Sequence, residues 1–174
     1  LLESIEGGER WGRYSFIGYR PRLVIKAWGE QVEQRANHDK PVRFKAQPLV
    51  YLERVMKDFS AATVPGLPRF FGGLVGFMSY DMVRFFEELP SNRPNDLGTP
   101  DAAFMMPEQV VIYDNLTQTI KVVVNCYVTD KVNAADAYDD AVEQIDKTEQ
   151  LIRQASATAE THQARMPDDL TLTP

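Results

Sequence analysis

The sequence predicts an α+β fold in which largely antiparallel β-sheets are flanked by helices. Three observations support this class. Several stretches are rich in β-branched and aromatic residues, turn residues separate some of them at hairpin spacing, and two other stretches repeat apolar residues with a helical period. Hairpins and helices set between strands favour an antiparallel arrangement over a parallel one.

The first third of the chain predicts strands. The segment "RYSFIGYR" alternates loosely, and "PRLVIKAWG" places Leu23, Ile25 and Ala27 on one face. Gly29 then predicts a turn, and "EQVEQ" predicts the returning strand of a hairpin. We therefore expect a β-rich beginning to this domain.

The first helix is predicted in "QPLVYLERVMKDF". Pro48 suits the first helical turn, because a proline lacks the amide hydrogen that would be unpaired there. The apolar residues that recur at helical spacing are Leu49, Leu52, Val55, Met56 and Phe59. A loop with two prolines and a glycine follows, "SAATVPGLPRF".

The segment "FFGGLVGFMSYDMVRFFEELP" predicts a buried strand that leads into a short helix, with Asp81 as the helix N-cap. Its glycines, Gly72, Gly73 and Gly76, match no common nucleotide-binding fingerprint. Glycines within an apolar strand more often allow two backbones to pack closely. Close packing is therefore favoured over phosphate binding.

A hairpin is predicted in "EQVVIYDNLTQTIKVVVNCYV", with its turn between Asn115 and Gln118. An amphipathic helix is predicted from Asn133, which resembles a helix cap because Asp136 follows it three residues later. The apolar stripe of this helix consists of Ala134, Ala137, Tyr138, Ala141, Ile145 and Ile152. The small and polar residues after it predict an interdomain linker. The predicted boundaries are a domain over 1–156 and a linker over 157–174.

Composition excludes several classes of function. The 174 residues carry a formal net charge of −6, and the basic residues are scattered, which argues against nucleic-acid binding. No apolar stretch is long enough to predict a membrane-spanning helix. The single cysteine, Cys126, lies in a β-rich run and predicts a buried inert thiol. A lone cysteine is typical of a reducing compartment, so a cytoplasmic location is expected.

A search for catalytic chemistry finds no convergent set of residues. The two histidines, His38 and His162, have no partner at metal-ligand spacing, so no zinc site is predicted. No serine lies in a G-x-S-x-G motif. The adjacent carboxylates, such as Asp139 and Asp140, point in different directions on a helix. From its residues alone this chain is predicted to have no catalytic residue, metal or cofactor of its own.

Three segments carry a resemblance to a known family. The opening "LLES" with "EGGERWGRYSFIG", the segment "FFGGLVGFMSYDMVRFFEELP" and the segment "DLGTPDAAFMMPEQVVIYDN" resemble the N-terminal region of anthranilate synthase component I. That enzyme uses chorismate in the first step of tryptophan synthesis. The matching segments extend from Leu1 to about Asn115, and the later hairpin and helix follow in the same order.

The resemblance implies a role that the residues alone do not show. It implies that this chain is the N-terminal part of a two-part lyase and is inactive by itself. The chorismate and Mg²⁺ sites would lie in a C-terminal part, which is absent here. The N-terminal part would contribute Glu3, Ser4 and Arg13 to an allosteric L-tryptophan site. The expected partners are L-tryptophan, the C-terminal part and a glutamine amidotransferase subunit.

Two alternatives stay open. The matching domain of aminodeoxychorismate synthase, a folate-pathway relative, shares these features, although "LLES" and "GRYSFIG" favour the tryptophan enzyme. A stand-alone binding module is the other alternative. The absence of an initiator methionine before Leu1 and the polar tail that ends at Pro174 lead us to expect a fragment of a longer protein.

Overall fold

The fold is described from a computed structural model, which covers residues 1–2, 12–37, 39–90, 96–130 and 132–159. The chain divides into two compact units, Leu1–Asn125 and Cys126–Pro174. The elements in chain order are β1 (Tyr14–Trp28), β2 (Gln31–Ala36), β3 (Val42–Lys45), α1 (Pro48–Lys57), β4 (Val75–Met78), a 3₁₀ helix (Tyr80–Phe85), β5 (Ala102–Asp114), β6 (Thr119–Val124) and α2 (Ala134–Ala159).

The strands form one six-stranded antiparallel sheet with β1 and β5 at its centre. The order is β3-β2-β1-β5-β4, and β6 also pairs with β5. Strand β4 pairs with residues 102–105 of β5, and β6 pairs with residues 109–114. Both strands therefore share the edge of β5 that faces away from β1. The predicted α+β class, its antiparallel pairing and the hairpin turn at residues 115–118 are confirmed.

The two predicted N-terminal strand segments form a single strand of 15 residues, β1. Its register against β5 shifts between Pro21 and Leu23, and Arg20 adopts a positive φ of 52° just before the shift. Pro21 lies opposite Pro107. Neither proline can donate an amide hydrogen bond, which is a physical reason for the ladder to be irregular at this point.

The core of the first unit is built on the two central strands. The predicted inward face of β1 is confirmed, since Leu23, Ile25 and Ala27 are all buried. Strand β5 contributes the buried residues Ala102, Met106, Val110 and Ile112. These side chains leave water together, and that burial is the main favourable contribution to folding.

Helix α1 begins at Pro48, as predicted, and the Gln47 side chain accepts a hydrogen bond from the Val50 amide at 2.7 Å. The predicted apolar stripe is wrong at Met56, which is 43% exposed. Tyr51 is buried instead, because its ring packs edge-on against Phe44 at 5.0 Å and its hydroxyl donates to Gln34. A tyrosine can be buried in this way when its hydroxyl has a partner.

The predicted burial of the glycine-rich strand is wrong. In β4 the side chains of Phe77 and Met78 are each 52% exposed, because β4 is a short strand at the edge of the sheet. The helix that follows is a 3₁₀ helix whose N-cap position is Ser79, so the prediction of Asp81 as N-cap is also wrong. Asp81 lies in the first turn, where it accepts a hydrogen bond from Arg84 at 3.0 Å.

The second unit contains α2. The cap predicted at Asn133 is confirmed, because its side-chain oxygen accepts a hydrogen bond from the Ala135 amide at 2.9 Å. Ala137 and Ala141 of the predicted stripe are buried, whereas Tyr138 is 66% exposed. The helical backbone continues to Ala159, past the predicted start of the linker, and residues 160–174 lie outside the described part of the chain.

Two further findings concern the single cysteine and the possibility of a membrane-spanning helix. Cys126 is exposed, so the prediction of a buried thiol is wrong: β6 ends at Val124, and the cysteine follows the strand rather than lying in it. Among the described residues, no helix combines the length and the apolar character that crossing a bilayer would require.

Candidate functional site

The residues predicted for the tryptophan site fall partly within the described structure. Glu3 and Ser4 lie outside the described residues, so their assignment stays a prediction. Leu1 and Leu2, which precede them, and Arg13 are described. The candidate site is therefore built from these three positions and from the strands around them.

An apolar cavity of about 360 Å³ lies beside Leu1 and Leu2. We call it the apolar cavity, and its lining comes from the chain start, the loop before β4, and strands β1, β4 and β5. Its lining includes Leu1, Leu2, Phe16, Gly18, Phe70 and Gly76. Its volume falls within the range of roughly 300–1,000 Å³ that is common for small-molecule sites.

The wall of the apolar cavity at β1 is held by backbone hydrogen bonds and a ring contact. Leu2 and Phe16 exchange two backbone hydrogen bonds, each of 2.8 Å, in an isolated antiparallel bridge. The Phe16 ring meets the Phe70 ring edge-on, with centroids 5.3 Å apart and planes at 86°. This is a favourable geometry for aromatic pairs, and it leaves a wall suited to a flat apolar group.

Two glycines in the lining of the apolar cavity pack closely against β5. A methyl group on Gly18 would lie 3.2 Å from Pro107 side-chain atoms and 3.6 Å from the Met105 terminal methyl group. A methyl group on Gly76 would lie 2.7 Å from the Phe104 Cα atom and would collide with the carbonyl of Ala103. The predicted reading of Gly76 as a point of close backbone packing is thus confirmed.

Arg13 forms a bidentate ion pair with Asp114, the last residue of β5. Its Nε donates to Oδ1 at 3.0 Å and its Nη2 donates to Oδ2 at 2.8 Å. The Asp114 side chain is 1% exposed, whereas that of Arg13 is 37% exposed. The Asp114 Oδ1 atom also accepts hydrogen bonds from the Leu116 and Thr117 amides at 3.1 and 3.4 Å.

The ion pair shifts the pKa values of both groups. The Arg13 guanidinium, helped by hydrogen bonds from Thr117 and Leu116, holds the pKa of the Asp114 carboxyl far below its usual value, although burial opposes this shift. The hydrogen bond to Asp114 in turn raises the pKa of Arg13. Both groups are therefore charged at neutral pH.

A row of aromatic rings connects Arg13 to the apolar cavity. The Arg13 guanidinium carbon lies 5.0 Å from the Tyr14 ring centroid. The Tyr14 ring lies 6.0 Å from the Phe16 ring, and Phe16 contacts Phe70 in the cavity wall. Phe16 and Phe70 line the cavity, whereas Arg13 and Tyr14 lie beyond its lining.

No sequence pattern singled out Asp114, Phe16 or Phe70 as site residues. An aspartate before a turn is a recognisable signal, because its side chain often accepts hydrogen bonds from the following amides. Its partner Arg13 is 101 residues away, and no local pattern indicates that distance. The sequence around the two phenylalanines indicates only that they are apolar, not that they line a cavity.

Acid is expected to remove the contribution of Asp114 to stability. Because its pKa is lower in the folded state than the value of about 3.9 in an unfolded chain, the unfolded chain binds a proton more readily. The contribution is present above about pH 4 and is lost as the pH falls below it. We expect the difference in free energy of unfolding between wild type and Asp114→Asn to be largest near neutral pH and to shrink below about pH 4. Urea unfolding at several pH values measures this difference.

The control for this experiment is Glu53→Gln. Glu53 also pairs with a cation, Lys57, at 2.6 Å, but the two side chains are 63% and 73% exposed. Exposed ion pairs contribute little, so this variant should differ little from wild type at any pH. A difference for Asp114→Asn that stays constant down to pH 2 would contradict the prediction.

The described residues do not form a metal site. In the ranges that the structure covers, no group of three or more His, Cys, Asp or Glu side chains is placed to hold a metal ion. The resemblance implies that Mg²⁺ would bind in a C-terminal part outside this chain.

The comparisons with known proteins agree with one another. A family model described as chorismate binding enzyme matches residues 6–171. The chain is 39% identical over 145 residues to anthranilate synthase component 1 of Acetivibrio thermocellus, a match that covers 83% of this chain and 29% of that protein. It is 44% identical over 127 residues to the Pseudomonas aeruginosa protein of the same name, which covers 71% of this chain and 26% of that protein.

One further relative, matched over more of this chain, and one solved structure are also similar to this chain. The chain is 36% identical over 178 residues to anthranilate synthase component 1 of Acinetobacter calcoaceticus, covering 98% of this chain and 35% of that protein. It also resembles the crystal structure of anthranilate synthase component I from Streptococcus pneumoniae TIGR4, with a TM-score of 0.60, 24% identity, and coverage of 86% of this chain and 31% of that one. The structural match supports the fold. The chain spans about a third of the length of these relatives.

Proposed function

This chain belongs to the family of chorismate binding enzymes, as a domain of the anthranilate synthase component I type, and we propose that it is the N-terminal regulatory part of such an enzyme. The complete protein would convert chorismate and glutamine-derived ammonia to anthranilate and pyruvate in tryptophan biosynthesis. Chorismate and Mg²⁺ would bind in a C-terminal part outside this chain. The ammonia would come from a glutamine amidotransferase subunit, and the assembly would be cytoplasmic.

The proposed role of this part is to bind L-tryptophan as a feedback inhibitor. The observation that carries this proposal is the apolar cavity beside Leu1 and Leu2, joined by the aromatic row to Arg13. An indole ring is flat and mostly apolar, so it suits a wall made by Phe16 and Phe70. The amino-acid end of tryptophan needs an acceptor for its ammonium group and a donor for its carboxylate.

The predicted site residues would supply both kinds of group. Glu3 would accept from the ammonium, the Ser4 hydroxyl can donate or accept, and Arg13 would donate to the carboxylate. Glu3 and Ser4 directly follow Leu2 in the chain, and Leu2 is paired with Phe16 of the cavity wall. The resemblance and the position of Leu2 therefore support the same location for the ligand.

Inhibition follows if tryptophan binds one arrangement of the two parts better than another. A ligand shifts a conformational equilibrium only by its difference in affinity for the two states. Tryptophan would favour the state in which the distant active site cannot complete the reaction. Because the coupling is reciprocal, chorismate should in turn weaken tryptophan binding.

Ser4→Phe in the complete enzyme is expected to relieve inhibition. A phenyl ring in place of the hydroxyl removes a polar partner and fills space next to the ligand. The tryptophan concentration that halves activity should rise by about tenfold or more, equivalent to about 1.4 kcal/mol or more of binding free energy. Anthranilate fluorescence, measured with chorismate and ammonium as substrates, reports the activity.

Ser60→Phe is the matched control, because Ser60 is an exposed residue in the loop after α1. It should keep the sensitivity of the wild type. Wild-type sensitivity in Ser4→Phe as well would show that Ser4 does not belong to the site.

The same assay separates the two chorismate enzymes. Anthranilate with pyruvate as products would support the proposal, whereas 4-amino-4-deoxychorismate without pyruvate would identify aminodeoxychorismate synthase. Absence of any chorismate-dependent reaction in the complete protein would leave the stand-alone binding module.

A further inference from the structure

We propose that Asp114 is a positioning residue for ligand selectivity: it holds the Arg13 guanidinium in the orientation that receives the carboxylate of the bound amino acid. The inference rests on the function proposed above. It adds a residue, 101 positions away from Arg13, to the recognition of the ligand.

Asp114 is held in place by contacts other than the one with Arg13. Its carboxylate is 1% exposed, lies at the end of the central strand β5, and accepts hydrogen bonds from two amides of the following turn. Those amides belong to the β5–β6 hairpin, which is held by its own ladder. The orientation of the carboxylate is thus set by the hairpin.

The Asp114 carboxylate in turn fixes the plane of the Arg13 guanidinium. Two parallel hydrogen bonds of 3.0 and 2.8 Å define the plane and direction of the Arg13 fork. The backbone is held as well, because the Asn115 amide donates to the Arg13 carbonyl at 2.7 Å and the Asn115 side chain donates to the Gly12 carbonyl at 3.1 Å. An arginine held in this way loses little further entropy when it binds an anion.

A second anion can still bind to the Arg13 guanidinium. An arginine guanidinium has five N–H donors. Asp114 accepts from the single N–H of Nε and from one of the two N–H groups of Nη2. The edge formed by Nη1 and Nη2 is not used by Asp114, and the Arg13 side chain is 37% exposed. Arg13 also lies over Tyr14, at one end of the aromatic row that ends in the apolar cavity.

The test compares two ligands that differ in one group. L-tryptophan and tryptamine share the indole ring and the ammonium group, but tryptamine lacks the carboxylate. Binding of each to the complete protein is measured by isothermal titration for wild type and for Asp114→Asn. Asparagine has the same shape and can still accept from the turn amides, but it cannot bind the arginine fork as an anion.

We expect Asp114→Asn to weaken tryptophan binding about tenfold and to leave tryptamine binding within about twofold of wild type. The ratio of the two affinities is the decisive quantity. Equal weakening of both ligands would show that Asp114 only supports the structure, and the inference would be overturned. Failure of wild type to bind tryptophan would overturn the proposed function itself, which makes the two failures distinguishable.

Two further variants complete the design. Asp101→Asn is the control, because Asp101 precedes β5 at the opposite end of the strand and accepts a hydrogen bond from the Gly29 amide at 2.6 Å. It should leave the affinity ratio unchanged. If Asp114→Asn does not fold, Asp114→Glu keeps the charge but displaces the carboxylate by one methylene group. Asp114→Glu should lower the ratio of the tryptophan affinity to the tryptamine affinity. A ratio equal to that of the wild type would overturn the inference.

Discussion

Gly76→Ala is expected to destabilise the protein by about 3 kcal/mol or more, enough to prevent folding of a marginally stable domain. Gly76 lies opposite Phe104 in the pairing of β4 with β5. An added methyl group would lie 2.7 Å from the Phe104 Cα atom and 2.8 Å from the Ala103 carbonyl carbon, and it would collide with the carbonyl oxygen. These are backbone atoms of a central strand, so they cannot rotate away. The two strands would have to separate.

Gly18→Ala is the matched control for Gly76→Ala. Gly18 also lines the apolar cavity, but its added methyl group would meet the side chains of Pro107 and Met105 at 3.2 and 3.6 Å. The Met105 side chain can rotate away, whereas the buried Pro107 ring can give way only by a few tenths of an ångström, so the cost should be about 1–2 kcal/mol, below that of Gly76→Ala. Urea unfolding followed by circular dichroism measures both. Equal stability of the two variants would contradict the close approach of β4 to β5 described here.

Ile112→Ala is expected to cost about 2–5 kcal/mol of unfolding free energy. Ile112 is 0% exposed, lies in β5, and stands opposite Phe16 in β1 and Lys121 in β6. Removing three of its carbon atoms loses their burial and leaves a space that the paired strands on both sides cannot close. The midpoint of urea unfolding should therefore fall with little change in its slope.

Ile120→Ala is the control, because it makes the same change of side chain at an exposed position. Ile120 belongs to the partner strand β6 but is 50% exposed. Its truncation should cost roughly 1 kcal/mol or less, because much of the side chain is already in water. A similar cost at the two positions would show that β5 is not the centre of the core.

Since Ile112 pairs with Phe16, partial loss of tryptophan binding in Ile112→Ala would also connect the core to the apolar cavity.

Much of the local structure could be predicted because neighbouring residues determine it. The inward face of β1, the start of α1 at Pro48, the turn between Asn115 and Gln118 and the cap at Asn133 all depend on side-chain period, fixed proline geometry or short-range hydrogen bonds. Such effects act within a few residues. The family was predictable as well, because three extended segments resembled it together.

Other local predictions were wrong because they depended on what lies outside the element. Met56 has the spacing of an inward-facing residue, and Cys126 lies near β-branched residues, yet both are exposed. Phe77 and Met78 were predicted to be buried, but β4 lies at the sheet edge, where half of each side chain meets water. Burial is a property of neighbours, and those neighbours are distant in sequence.

The sequence by itself thus determined the antiparallel α+β class, the hairpin turns, the starts of α1 and α2 and the family of this chain. Only the tertiary structure decided that β1 pairs with β5 along most of its length, that Leu2 pairs with Phe16, and that Arg13 binds Asp114. The physical reason is the distance along the sequence over which each kind of interaction acts. Propensity and periodicity arise from contacts within a few residues, whereas the apolar cavity and the ion pair arise when strands about a hundred residues apart in the sequence come together.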